Sequence, residues 1–384
     1  MRGVTWVVGV VLWAGVAMGQ APTGGTEKKP TPGVMETYET SYYVVNTDLD
    51  IWAVREASVR LTAMFETYRE RTKDFPGQIN RKFPFYLYGR SQDYYAAGGI
   101  PGSAGQYTGR KLMAWEGGHG SVWPVVQHEG FHQFVDAVMQ GEIPIWLNEG
   151  LAEYFGAGVW TGDGYVTGEI PPVRLKMVQK EITEKKMLNV LSMMMMTHGE
   201  WNGALSSRNY DQAWSMVHFL AHGDGGKYQK PFSAFIGQVS RGVPWDKAWV
   251  GCFGPDAIGF QKAYEGWWMS QTVESTEGKY IEATVQTLTS YLARAYTMGQ
   301  KFPDAGTFLT TTKEGKLEFQ MPEQWLPPAL LERALKQAEE LSEWSFAPGK
   351  TPPDLVLKTA DGKTYRGTFK VNGKKIVKVE TVVK

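Results

Sequence analysis

The chain has 384 residues, of which 42% are hydrophobic and 21% charged, a composition that excludes a disordered or fibrous protein and leaves room for two domains with a sizeable core. Forty Lys and Arg balance forty Asp and Glu, so electrostatics argue for no nucleic acid partner. One cysteine, Cys252, excludes an intramolecular disulfide.

The first segment reads as an address. Arg2 is a positive start, Val4 to Val16 an apolar stretch too short for a membrane span, and Ala17-Met18-Gly19 a small-x-small cleavage signal. Residues 1–19 are therefore expected to be a signal peptide, followed by a flexible linker over 20–35 rich in Gly, Pro, Thr and Lys. An exported chain without disulfides fits a bacterial envelope or secreted protein, with no stable membrane insertion after cleavage. From residue 36 the patterns predict an α+β fold. Ser41 to Thr47 and Lys82 to Tyr88 read as strands, and Asp50 to Thr72 and Ser91 to Ala97 as helices. Gly109 to Gly117 alternates like another strand. Its residues Met113, Ala114 and Trp115 are expected to form a sheet edge along which an extended substrate pairs. A small mixed sheet thus precedes the next helix.

That helix, Val122 to Met139, places apolar residues at close to the 3.6 period, with Ser121 as its cap and Gly141 as its stop. It contains His128-Glu129-x-x-His132. Residues four apart lie one turn above each other, so both imidazoles can face one cation, and Glu129, about 100° further round, can reach the water on that cation without being a ligand. An open zinc site needs a third protein ligand. A second helix, from near Pro144 to Gly156, offers Glu149 and Glu153 one turn apart; one should bind the metal and the other support it.

Together with Trp146-Leu147-Asn148-Glu149-Gly150-Leu151-Ala152-Glu153-Tyr154-Phe155, these residues resemble the gluzincin metallopeptidases, the group of thermolysin and the aminopeptidase N-like enzymes. The resemblance implies a zincin-like fold and one Zn2+ per chain held by His128, His132 and Glu149. Glu129 would be the general base, and Glu153 would support His128 from the outer side beside Asn148. The stretch Asn209-Tyr210-Asp211-Gln212-Ala213-Trp214 resembles the helix whose opening tyrosine stabilises the tetrahedral intermediate in the aminopeptidase branch, which would give that role to Tyr210. His218, two turns later, reads as a core histidine. The Gly-x-Met-Glu-Asn segment that captures a free amino terminus in that branch is missing, so internal cleavage is expected rather than exopeptidase activity. No third histidine follows at metzincin spacing.

Residues from Pro171 to about Gln271 read as a mainly helical second lobe, in which the run Met193 to Met196 is expected to be buried packing. A peptidase domain over 36–272 is then followed by a C-terminal region over 273–384. Ile281 to Met298 and Pro328 to Trp344 are helical there, and Asp361-Gly362 and Asn372-Gly373 mark hairpins in a three-stranded basic meander. The functional expectation is an exported zinc-dependent metallopeptidase acting on a peptide or protein substrate. The competing reading is a non-catalytic envelope protein that uses the same fold for binding or assembly.

Overall fold

Strands β1 (Glu36–Glu39) and β2 (Tyr43–Thr47) open the architecture in the computed structural model, which describes residues 33–384 apart from 74, 118–120, 204–206, 319–324 and 342. The expected signal peptide and nearly all of the linker lie outside the described residues. Helix α1 (Ile51–Arg71) follows at once because the Asp50 carboxylate accepts the N–H groups of Trp52 and Ala53, both at 3.0 Å. Strand β3 (Phe83–Tyr88), helix α2 (Ser91–Ala96), and strands β4 (Gly105–Tyr107) and β5 (Leu112–Trp115) complete a five-stranded sheet of order β1-β2-β3-β5-β4. β2, β3 and β5 run parallel, and β1 and β4 are antiparallel to their neighbours.

This order corrects one expectation. Met113, Ala114 and Trp115 are not on an edge, because β5 is paired with β3 on one side and β4 on the other. Leu112, Met113 and Ala114 are accordingly fully buried. The edge is β4. Trp115 N–H donates to Ala104 and Thr108 N–H to Lys111, which with the Gln106–Met113 pairing turns alternate residues of β4 towards β5. The backbone groups of Gly105 and Tyr107 therefore point away from β5, the Tyr107 N–H towards Glu129.

Two helices come next, α3 (Trp123–Val138) and α4 (Ile145–Gly156). Pro124 sits in the first turn of α3, where its missing N–H costs nothing, and Ser121 Oγ accepts Trp123 N–H at 3.3 Å. Every residue of α4 is buried. A two-stranded ribbon, β6 (Val159–Trp160) and β7 (Tyr165–Val166), precedes a helical series: α5 (Pro172–Thr183), α6 (Val190–Met195), α7 (His198–Gly203), α8 (Ser207–Gly226), α9 (Gln229–Ser240), α10 (Trp245–Phe253) and α11 (Ala257–Ser270). The methionine run divides rather than packing as a block. Met193 and Met194 are buried, whereas Met195 is exposed, since consecutive residues of α6 cannot all face inward.

The last part holds α12 (Val273–Thr297), α13 (Ala305–Lys313), α14 (Pro328–Glu339) and strands β8 (Trp344–Phe346), β9 (Leu355–Lys358), β10 (Thr364–Asn372) and β11 (Lys375–Val383). Its sheet has four strands, in the order β11-β10-β9-β8. The expected three-stranded meander gains β8, whose Trp344 the sequence pattern places in the preceding helix. That helix ends earlier, and Trp344 pairs with Leu357 instead. Gly362 and Gly373 adopt positive φ in the two hairpins, the conformation that Asp-Gly and Asn-Gly joints favour.

The chain divides into two compact units that interleave along the sequence. The first comprises residues up to Val54, Tyr68–Gly158 and Ile170–Val273, and the second Arg55–Thr67, Val159–Glu169 and Glu274–Lys384. In the first, the Tyr68 ring packs on Phe131, Phe134 and Phe155, which ties α1 to α3 and α4. In the second, Leu288, Leu292 and Phe308 form a core with Leu355, Phe369 and Val379 of the sheet. No helix among the described residues is long and apolar enough to cross a membrane.

Candidate metal centre

Helix spacing brings the first two donors together. His128 Nε2 and His132 Nε2 on α3 lie 3.1 Å apart, and Glu149 Oε2 on α4 lies 3.3 Å from the first and 3.5 Å from the second. All three residues are buried, and among the described residues they form the one group of three His, Cys, Asp or Glu that can hold a metal ion. The dimensions suit zinc. An ion bonded at about 2.0–2.1 Å with tetrahedral angles keeps its donor atoms roughly 3.3 Å apart. Glu149 Oε2 is buried and takes no hydrogen bond from the described residues, as an atom reserved for a cation would be.

The outer ring nitrogens explain why these lone pairs point inward. His128 Nδ1 lies 3.1 Å from Glu153 Oε1, and an ionised carboxylate can only accept. In the neutral ring the proton therefore sits on Nδ1, and Nε2 is left as the ligand atom. His132 Nδ1 similarly meets Asn148 Oδ1 at 3.2 Å. Gln127, the residue before His128, donates to the carbonyls of Phe155 and Gly158 at 3.0 Å each. These bonds fasten the end of α4 to α3, and Tyr68 Oη donates to the Gln127 carbonyl from α1.

Charge is concentrated here. Burial acts against the imidazolium of His128, but Glu149 and Glu153 beside it outweigh burial and hold its pKa well above the ordinary imidazole range. Burial also acts against the Glu149 carboxylate, yet His132 and His128 bring its pKa down to about 2. Glu153 reaches about 2 as well, with burial overcome by Arg174 and His128.

Glu129 is the buried neighbour of this triad, with 0% exposure. Its Oε2 accepts the N–H of Tyr107 on β4 at 2.7 Å. Its Oε1 has no hydrogen-bond partner among the described residues. Burial raises its pKa, with the two histidines opposing. Tyr210, in the first turns of α8, is buried with its ring centroid 6.4 Å from that of His128. Burial and the charge of Glu149 push its phenol well above the ordinary range, so the hydroxyl keeps its proton and remains a donor. His218 is buried among Trp214, Trp267 and Trp268 and does not belong to the group of donor atoms.

Two contributors carry no sequence signal of their own. Arg174 of α5 donates from Nη2 to Glu153 and from Nε to Asp211 Oδ1, the latter at 3.0 Å. Asp211 adjoins Tyr210, but neither a motif nor a spacing relates it to Arg174, 37 residues earlier. The Tyr107 amide is a backbone group and escapes any reading of side-chain types.

The arrangement is that of a zincin, His-Glu-x-x-His with a distal glutamate, and is consistent with a zinc-dependent hydrolase. A family model described as "Protein of unknown function (DUF1570)" matches residues 123–246. That stretch starts with the first residue of α3 and includes the side chains of His128, Glu129, His132, Asn148, Glu149, Glu153, Arg174, Tyr210 and Asp211. No curated protein matches the chain.

Proposed function

We propose that the protein is an exported zinc-dependent peptidase of gluzincin type that cleaves within peptide or protein chains. The observation that supports it most is the triangle of His128 Nε2, His132 Nε2 and Glu149 Oε2 with the Glu129 carboxylate buried beside it. Zinc bound by these three residues supplies Lewis acidity to the reacting water and to the carbonyl under attack.

The protein's own groups supply the proton handling. Glu129 Oε2 is engaged by the Tyr107 amide, so Oε1 is the atom that accepts the water proton and returns it to the leaving amine. Burial, by raising the Glu129 pKa, makes it a better base than an exposed carboxylate. Tyr210 donates its hydroxyl hydrogen to the negative charge that develops on the former carbonyl oxygen. The unpaired side of β4, with the Gly105 amide and carbonyl and the Tyr107 carbonyl, pairs with the extended substrate. An export signal over 1–19 would deliver the enzyme to the envelope or the medium.

The test is Glu129→Gln in the full chain, with zinc content and cleavage of a proteome-derived peptide library measured together. Retained stoichiometric zinc with cleavage lost supports the mechanism. Unchanged cleavage by the variant would sink it, and zinc-loaded wild type without any turnover would favour the non-catalytic binding protein. Products trimmed singly from free amino termini would replace internal cleavage by exopeptidase action.

A further inference from the structure

We propose that Arg174 is a positioning residue that commits Glu153 to the outer nitrogen of His128 and so leaves Glu149 as the third metal ligand; the inference rests on the metal-centre reading above. Glu149 and Glu153 are one turn apart on α4, both are buried, and both lie close to His128. Chemistry alone does not tell the two carboxylates apart. Their surroundings do. Glu153 has both oxygens engaged, Oε1 with His128 Nδ1 and Oε2 with the Arg174 guanidinium, whereas Glu149 Oε2 is without a hydrogen bond among the described residues.

The guanidinium itself has little freedom. Arg174 is 6% exposed, its Nε is bonded to Asp211, and its central carbon lies 4.6 Å from the ring centroid of Trp214, also on α8. A planar fork held at two edges and stacked on an indole fixes direction as well as charge, which a lysine ammonium does not. One side chain thus connects α5 to the metal-supporting carboxylate on α4 and to the turn of α8 that carries Tyr210. Without it, Glu153 would be a buried anion free to compete for the cation, and His128 would lose the acceptor that sets its ring.

The metal-depleted full chain tests this by titration with Zn2+ against a chromophoric chelator and with Co2+ for its ligand-field spectrum. Arg174→Met should bind Zn2+ roughly 10- to 100-fold more weakly, the usual loss on removing support from a metal ligand, and should alter the Co2+ spectrum. Arg174→Lys should recover only part of the affinity, since it cannot reproduce the fork. In a Glu153→Gln background the same Arg174→Met change should cost less than about threefold, because the two residues act through one connection. A packing role would instead lower thermal stability equally in both backgrounds and leave the Zn2+ affinity alone. Should Arg174→Met fail to fold, Asp211→Ala removes one arm of the fork and should still weaken Zn2+ binding and move the Co2+ spectrum. A folded Arg174→Met, or in its place Asp211→Ala, with wild-type Zn2+ affinity and spectrum overturns the proposal and leaves the metal centre standing. A wild-type chain that binds Zn2+ no better than His132→Ala removes the metal centre and the proposal together.

Discussion

Glu129 and Tyr107 are joined by a 2.7 Å hydrogen bond from a backbone amide of the sheet edge to a carboxylate beside the metal ligands. The bond orients the proposed base with respect to the strand on which substrate is expected to lie. Only alternate residues of β4 face outward, so only alternate amides of an antiparallel substrate can pair with it. A series of otherwise identical substrate peptides, each N-methylated at one position, should therefore show raised KM at positions two residues apart and little change at the position between. Equal effects at consecutive positions would argue against pairing on β4.

On the proposed mechanism, Tyr210→Phe removes a hydroxyl that acts only in the transition state. The expected result is a fall in kcat of roughly 10²-fold or more, with KM nearly constant. Zinc content should stay the same, because the three ligand atoms come from His128, His132 and Glu149. A rise in KM with kcat intact would make Tyr210 part of the substrate-binding surface instead.

Gly150 follows Glu149 on α4 and faces α8 so closely that a Cβ there would lie 2.5 Å from the Ala213 carbonyl oxygen and 2.7 Å from Val217 Cγ2. Backbone cannot yield as a side-chain tip can. Gly150→Ala should cost about 1–3 kcal/mol of stability through overpacking, despite alanine's better helix propensity. The displacement of α4 should also weaken Zn2+ binding through Glu149. Denaturant unfolding of the metal-depleted protein and a Zn2+ titration measure the two effects, and a stabilised variant would show that the helices are not held this close in solution.

In the second unit, Glu169 has both carboxylate oxygens buried. Burial moves its pKa from the ordinary 4.5 up to about 8. The folded state therefore favours the neutral acid, whereas the unfolded chain ionises above pH 4.5. Its contribution to stability is greatest below pH 4.5, is lost as pH rises to about 8, and then levels off. Glu169→Gln has no such titration. The unfolding temperature of the variant relative to wild type should rise across that interval, and a constant difference from pH 5 to pH 8 would sink the argument.

Local geometry made the metal donors readable in advance. The i, i+4 spacing of His128 and His132 places two imidazoles on one helix face wherever α3 packs, and the one-turn spacing of Glu149 and Glu153 narrows the remaining donor to two residues. The same applies to the Asp-Gly and Asn-Gly hairpins, whose turn chemistry resides in two adjacent residues. Matters that depended on pairing between distant segments were not readable. β5 alternates as an edge strand might, but β4 lies outside it, and the periodicity of a short strand says nothing about which neighbour it acquires. Spacing alone leaves Glu149 and Glu153 open, with the resemblance favouring Glu149, and the hydrogen bond proposed to commit Glu153 comes from an arginine 21 residues beyond it. Nothing in the spacing of these residues announces that contact, because it exists only where α5, α4 and α8 have packed and a buried carboxylate must find a cation.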